Sequence, residues 1–275
     1  MSAITGLTPE LISQLPVQSQ ARLIHLMRGM LNRKGQSLFY KLFPEVDTLW
    51  DGPPLMGGLV APGQIIHSRD KYSKHLEFFA AGAEARERCF MAANRVGKTF
   101  SGGGYEVAAH LTGQYPDWWE GRRFAHPISA WVAGDTYEST RDIIQLTLLG
   151  EMSYKGSRKS LDGRGVVPGD CLGKMTWRSG VQDLVDRIKI KHITGGWSSL
   201  AFKSYDQGRK AFQGTGRHVI WADEEPPADV YGEMLIRTAT LNGICLLTFT
   251  PLSGLSEVVL SFLPKEMRPD NGDDL

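Results

Sequence analysis

Cys89-Phe90-Met91-Ala92-Ala93-Asn94-Arg95-Val96-Gly97-Lys98-Thr99 is the stretch on which the fold turns. An apolar run with the character of a buried strand ends in a short polar turn. Gly97-Lys98-Thr99 then opens a segment with helical spacing at Tyr105, Ala108 and Ala109. That is the layout of a phosphate-binding loop, in which backbone N–H groups converge at a helix N-terminus where the peptide dipoles favour an anion. The pattern G-x-x-x-x-G-K-[ST] adds a long cation and a small hydroxyl: Lys98 for the β- and γ-phosphates, Thr99 for Mg²⁺. This copy departs from the pattern twice, with Ala92 at the first glycine and Arg95 inside the loop. A lone Gly-Lys-Thr occurs by chance in many chains, so the reading needs a second motif.

His218-Val219-Ile220-Trp221-Ala222-Asp223-Glu224-Glu225 supplies it. Four mostly apolar residues followed by Asp-Glu read as a second buried strand, delivering two carboxylates at its C-terminal edge, where an open α/β sheet binds its ligand. Asp223 then enters the Mg²⁺ shell, and Glu224 orients and deprotonates the attacking water. The bland alternative is a strand running into an acidic loop with both carboxylates solvated. In this order the two motifs support each other and predict an α/β P-loop NTPase.

With 275 residues and 41% hydrophobic content, the chain can bury a sizeable core, enough for one large domain and a small appendage. It contains no run of 18 apolar residues and no N-terminal secretory pattern, so neither a membrane span nor secretion is expected. Cys89, Cys171 and Cys245 are far apart, and two lie in expected core strands. They read as reduced thiols of a cytoplasmic protein. A net charge of +1 argues against a basic coat but allows a local basic face. The candidates are Arg122-Arg123, the stretch from Lys155 to Arg164, and Arg187, Lys189 and Lys191.

Residues 1–45 read as helices, with Thr8 capping at Pro9 and an apolar stripe at Val17, Ala21, Ile24, Met27 and Leu31. The stripe packs on the main domain or docks a partner protein. Residues 44–69, rich in Pro and Gly, read as a linker or a surface loop. Asp70 to Ala81 is a helix whose Tyr72 and His75 are candidates for the adenine ring. Gly102-Gly103-Gly104 costs about 1 kcal/mol per glycine against alanine inside a helix, which implies close backbone contact with the sheet. Gly113 ends that helix, and Thr136 or Asp135 caps the next, which runs to Gly150. Glu151 to Gly180 reads as a long irregular basic loop, either DNA-facing or simply solvated. A hairpin follows about Thr194-Gly195-Gly196, and a helix from Pro226 to Thr240 carries Glu233 and Arg237 as a surface ion pair. Gly243 to Thr250 is a third buried strand with a polar tip, and a short helix runs from Glu257 to Leu263.

Four pieces together, Ala92 to Thr99, Tyr115-Pro116-Asp117-Trp118-Trp119, Val219 to Pro226, and Thr248-Phe249-Thr250-Pro251-Leu252-Ser253-Gly254, closely resemble the ATPase domain of the large terminase subunit of tailed bacteriophages. The resemblance covers roughly residues 70–263. It implies an additional-strand P-loop NTPase with a mostly parallel central sheet flanked by helices and a small N-terminal helical appendage. The corresponding divisions are 1–69 for appendage and linker, 70–263 for the ATPase domain and 264–275 for a polar tail. The implied activity is ATP hydrolysis coupled to translocation of double-stranded viral DNA into a procapsid. Implied nucleotide contacts come from Ala93, Asn94, Arg95, Val96, Gly97, Lys98, Thr99, Phe100 and Thr250; Thr99 and Asp223 hold Mg²⁺, and Glu224 is the base. Arg95 stands near the γ-phosphate, where a cation stabilises the transferring phosphoryl group. Implied partners are DNA, a small terminase subunit, a portal protein and further copies in a ring on the procapsid, in the host cytoplasm and away from membranes.

Two departures bear on these expectations. The family's Arg-Gly pair ahead of the Asp-Glu strand reads Gln213-Gly214 here, which leaves Arg209, Lys210 and Arg217 as sources of an arginine acting on a neighbouring subunit, with Arg209 favoured. The family's C-terminal ribonuclease-H-like nuclease has no counterpart in the tail, where Asp270, Asp273 and Asp274 have no strands to position them. ATP hydrolysis without DNA cleavage is therefore expected, from a fragment or from a motor split from its nuclease. The rival readings are another DNA-dependent ATPase of helicase type, which needs a second motor domain or further motif, and a nucleotide-gated adaptor without turnover, for which Glu224 is dispensable.

Overall fold

Val219–Asp223 is buried at every position, and so is Ile244–Phe249. Continuous apolar runs of this length suit strands covered on both faces, as in a parallel sheet sandwiched by helices. The computed structural model, which describes residues 9–23, 37–55, 58, 60–252 and 254–268, builds that sheet.

In chain order the strands are β1 (Thr48–Leu49), β2 (Ile65–Ile66), β3 (Glu87–Met91), β4 (Ser129–Gly134), β5 (Met152–Lys155), β6 (Arg158–Leu161), β7 (Leu172–Trp177), β8 (Val185–Lys191), β9 (Trp197–Ser204), β10 (Val219–Asp223) and β11 (Ile244–Phe249). The central sheet has seven strands in the order β3-β11-β10-β4-β9-β8-β7. From β3 to β9 every neighbour is parallel; β8 and β7 extend the sheet antiparallel. β11 is thus inserted between the strand that leads into the Gly-Lys-Thr loop and the strand that ends in Asp-Glu, the signature of the additional-strand class. The parallel registers bring the C-terminal ends of β3, β11 and β10 to one rim.

One face packs on the helix Tyr105–Thr112, with Val107, Leu111, Leu148, Val132 and Leu200 in its core. The other packs on the helices Ala228–Ala239 and Glu257–Phe262 through Trp131, Ile220, Met234 and Leu247. The triple glycine meets the sheet as its cost predicted. A Cβ on Gly103 would stand 2.3 Å from the Trp221 indole, so only glycine lets this helix lie on β10. Lys98–Gly104 is wound as a π-helical turn before the α-helix begins, and Gly113 closes that helix with φ 67°. Thr136 and Ser139 form a reciprocal capping box.

Several expectations are corrected. Residues 151–180 are not one irregular loop: β5 and β6 form an antiparallel hairpin, and β7 is the edge strand of the central sheet. Its mixed glycines and cations hid the alternation of an edge strand with one solvated face. The Pro- and Gly-rich stretch 44–69 is not merely laid over the surface, because Trp50, Leu55 and Val60 are buried in the main core. Glu233 is no surface residue, being 3% exposed and engaged by both Arg209 and Arg237 at 3.0 Å. Thr8, Ile24, Met27, Leu31, Asp270, Asp273 and Asp274 lie outside the described residues. The three cysteines are free, and among the described residues no helix is long and apolar enough to cross a membrane.

Candidate nucleotide site

The loop after β3 turns on two left-handed residues, Arg95 at φ 66° and Gly97 at φ 85°. Glycine is required at 97: a Cβ there would lie 2.4 Å from the Ser101 hydroxyl in a conformation that side chains avoid. The Gly97 carbonyl accepts from the N–H groups of both Ser101 at 2.9 Å and Gly102 at 3.0 Å, which fixes the loop on the π-helical turn.

Lys98 is buried and donates to the Ala93 carbonyl at 2.9 Å and to the Thr250 hydroxyl at 2.7 Å. Thr250 in turn faces the Ala92 carbonyl at 2.9 Å and the Asn94 side-chain oxygen at 2.8 Å. The end of β11 is thereby stitched to the loop from β3. Thr99 donates to the Asp223 carboxylate at 2.9 Å, and Thr248 donates to the same oxygen at 2.7 Å. The Trp221 indole N–H completes the chain by donating to Thr248 at 2.7 Å.

Asp223 is 2% exposed. Burial raises its carboxyl to about 7 against the two threonine hydroxyls. A desolvated carboxylate beside a hydroxyl presents hard oxygen donors, which suit Mg²⁺. Among the described residues no three His, Cys, Asp or Glu side chains converge as a cage.

Glu224 follows at the rim, in the left-handed region at φ 65°, with its N–H donated to the Thr248 carbonyl at 3.0 Å. A non-glycine residue held there stores about 1–3 kcal/mol of strain. The Tyr205 hydroxyl braces the turn, standing 3.0 Å from the Asp223 carbonyl, 3.1 Å from that of Glu224 and 3.2 Å from that of Ala133. Partial burial, with Asp135 adding to it and Lys98 opposing, raises the Glu224 carboxyl above its ordinary range.

Asn94, Arg95, Val96, Gly97, Lys98, Thr99, Phe100 and Glu224 all line one cavity of about 920 Å³. Its far wall is apolar and comes from the N-terminal segment: Leu42, Val60, Ile65 and Ile66, with Gln64 and Tyr72. Of the two adenine candidates only Tyr72 faces this cavity. His75 is 5% exposed and meets the Ser101 hydroxyl at 3.0 Å, which makes it a packing residue of the loop. Arg209 is not in the cavity; its Nε donates to Glu233 at 3.0 Å within its own chain.

Sequence reasoning missed Thr248, Trp221, Tyr205 and the wall from residues 42–66. Strand alternation contained the signal for Thr248, since a side chain two positions before Thr250 belongs to the same face. The wall had no such signal, because it depends on a long-range fold of the Pro- and Gly-rich segment.

The profile of the family described as "Terminase large subunit, T4likevirus-type, N-terminal" matches residues 89–270. The "Terminase, large subunit" of Salmonella phage P22 is 40% identical over an alignment of 211 positions that covers 70% of this chain and 41% of that protein. The chain thus spans less than half the length of that curated relative. Among solved structures, a variant of the large terminase ATPase domain of Thermus phage P74-26 aligns over 66% of this chain and 69% of its own, with TM-score 0.41 and 16% identity. The large terminase of another thermophilic bacteriophage, solved in complex with ADP, aligns over 65% of this chain and 38% of its own, with TM-score 0.42 and 13% identity.

Proposed function

The chain belongs to the family of terminase large subunits, and from that premise we propose that it hydrolyses ATP with Mg²⁺ and couples the reaction to translocation of double-stranded viral DNA. The observation that carries the reading is the convergence of two hydrogen-bonded pairs, Lys98 with Thr250 and Thr99 with Asp223, which tie the segment after β3 to the ends of β11 and β10 beside a cavity of nucleotide size.

In this reading the Lys98 ammonium exchanges the Ala93 carbonyl and the Thr250 hydroxyl for the terminal phosphates. Loss of those contacts frees Thr250 to meet the γ-phosphate or the attacking water, so phosphate binding is felt at the tip of β11. Arg95 contributes a cation to the same end of the cavity. Glu224, at the rim and with its carboxyl raised, orients the water and takes its proton. Asp223 and Thr99 hold the Mg²⁺, which when bound neutralises charge on the phosphate oxygens. Arg209 serves a neighbouring subunit once it leaves Glu233. The further parts of the proposal are a small terminase subunit and a portal protein as partners, a homo-oligomeric ring on the procapsid, and action in the host cytoplasm.

Steady-state ATP hydrolysis by Lys98→Ala and Glu224→Gln tests the reading. Removal of a catalytic base costs about 10²–10⁴ in rate, and both variants are expected in that range. Hydrolysis retained in either one overturns the assignment.

A further inference from the structure

The two faces of the central sheet are covered unequally. The helix Tyr105–Thr112 crosses β8, β9 and β10 on one face, while the helix Ala228–Ala239 packs mainly on β10 and β11 on the other. Across β8 and β7 that second face is open, while at β9 the turn Arg209–Phe212 closes over Lys203, whose ammonium donates to the Ala211 carbonyl. Alternation along β8 sends Ile188 and Ile190 into the core and turns Arg187, Lys189 and Lys191 outward. The register sets Arg187 between Thr176 and Ala201, and Lys189 opposite Ser199. Small neighbours leave a shallow cleft of about 420 Å³ whose charged lining is Lys174, Arg187, Lys189 and Arg217, with no carboxylate among them.

At the covered edge of this cleft two cations share one ring. Arg217 lies 4.3 Å and Lys203 4.5 Å from the centre of Trp131. Burial, with Arg178, Arg217 and Arg187 adding to it, holds the Lys203 ammonium down at about 8. The nearby carboxylate of Asp186 is engaged by Arg178 at 2.7 Å and Arg187 at 3.6 Å. The chain as a whole is nearly neutral, with 31 cations against 30 anions, so this is a local concentration of like charge that a polyanion relieves.

The other basic clusters are spent on structure. Arg122 stacks on Phe124 at 5.0 Å, and Arg123 donates to the Trp119 carbonyl at 2.8 Å. On the β5–β6 hairpin Lys159 pairs with Asp183 at 2.7 Å, and beyond it Arg164 lies 3.9 Å from Asp162.

Resting on the packaging reading above, we propose that the open face of β7 and β8, with the adjoining edge of β9, is the surface on which the sugar–phosphate backbone of double-stranded DNA lies, held by Lys174, Arg187, Lys189 and Arg217. Outward residues two apart on a strand stand about 6.8 Å from each other and neighbouring strands about 4.8 Å apart, a grid on the scale of successive backbone phosphates. The hydroxyls of Thr176, Ser199 and Thr215 lie among the cations, the mixture that binds phosphate oxygens. Such contacts hold a duplex without reading its sequence, as a motor that moves any sequence requires.

The test is binding of a short labelled duplex to the chain, followed by anisotropy over a salt series. Arg187→Glu/Lys189→Glu is expected to weaken binding about tenfold or more and to reduce the slope of log K against log salt by about 2, one for each lost phosphate contact. Arg187→Gln/Lys189→Gln gives the same slope change with less repulsion. The hairpin variant Arg158→Glu/Lys159→Glu leaves the slope in place. Unchanged binding in both face variants overturns the proposal, and so does an equal loss in the hairpin variant. Altered self-association with unchanged duplex affinity assigns the face to a second copy instead, which also overturns it. DNA-free ATP hydrolysis is unaffected by the face variants. A chain that hydrolyses ATP and binds duplex elsewhere than on this face defeats this proposal alone, and one that binds duplex through this face without hydrolysis defeats only the nucleotide-site reading.

Discussion

The ammonium of Lys98 donates to the hydroxyl of Thr250 at 2.7 Å, joining the loop after β3 to the tip of β11. A hydrogen bond to a charged group contributes about 1.5–3 kcal/mol, and about 1.4 kcal/mol is tenfold in rate. Thr250→Val removes both the acceptor for Lys98 and the donor to the loop, and is expected to lower kcat for ATP hydrolysis about 10- to 100-fold. Thr250→Ser keeps the hydroxyl and most of the rate. Equal kcat in the two variants sinks the role given to this hydroxyl.

Arg209 is half-exposed and shares the buried Glu233 with Arg237. Removing Arg209 leaves Glu233 paired, so Arg209→Ala is expected to cost less than about 1 kcal/mol in stability, as exposed ion pairs do. Its effect on turnover depends on copies meeting: wild-type turnover per chain rises with protein concentration and that of the variant stays flat. Turnover that responds to dilution identically in both proteins removes Arg209 from the neighbour's site.

Two helical glycines should respond to alanine with opposite sign. At Gly232 nothing lies within 4 Å of the added Cβ, so Gly232→Ala gains helix propensity and stabilises by about 0.4–1 kcal/mol. At Gly103 the same gain is outweighed by a Cβ placed 2.3 Å from Trp221, and overpacking of this kind costs about 1–3 kcal/mol. Thermal melts of the two variants moving in the same direction would contradict the helix-to-sheet contact.

Why these features differed in legibility is a matter of range. The Gly-Lys-Thr loop, the Asp-Glu strand and Thr250 carry their chemistry in a few consecutive residues, so fold class and the phosphate end of the cavity are visible in the chain itself. Gly102 to Gly104 advertise their contact through propensity, because three glycines in one helical turn are expensive unless something lies against them. The apolar wall of Val60, Ile65 and Ile66 is different: each residue is ordinary in its local setting and acquires its place only when a turn-rich segment folds back on the core. β7 was hidden for a related reason. An edge strand with one wet face and a glycine inside it reads as loop, and only its pairing with β8 defines it. Glu233 looked like half of a surface pair because helical spacing shows Arg237 but not Arg209, which arrives from a separate turn.

Beneath the sheet Tyr115 accepts the Phe124 N–H at 2.8 Å and meets His110 Nδ1 at 3.0 Å, so its own proton goes to that nitrogen. His110 Nε2 then carries a proton and donates it to Glu106 at 3.1 Å, and Arg88 donates to the other Glu106 oxygen at 3.1 Å. The Tyr115 motif noted in the sequence is thus spent on a buried network with a neutral histidine. Burial holds the His110 imidazole below its ordinary value. Below about pH 6.5, the ordinary imidazole value, the unfolded chain therefore binds a proton that the folded chain refuses, and stability falls with pH by at most about 1.4 kcal/mol per unit for this group. Burial pushes Glu106 up, but Arg88 and His110 outweigh it and hold it low, so its own contribution is lost only at more acid pH. His110→Gln can still donate to Glu106 and accept from Tyr115, yet it does not titrate. Urea midpoints measured between pH 7 and 5 are expected to fall less steeply for this variant than for the wild type. The remaining slope combines His75, His192 and His218, which burial also holds low, with Asp223, whose raised carboxyl takes up a proton in the folded state and opposes them. Identical slopes in the two proteins would mean that His110 is protonated in the folded state and that its Nδ1 donates to Tyr115.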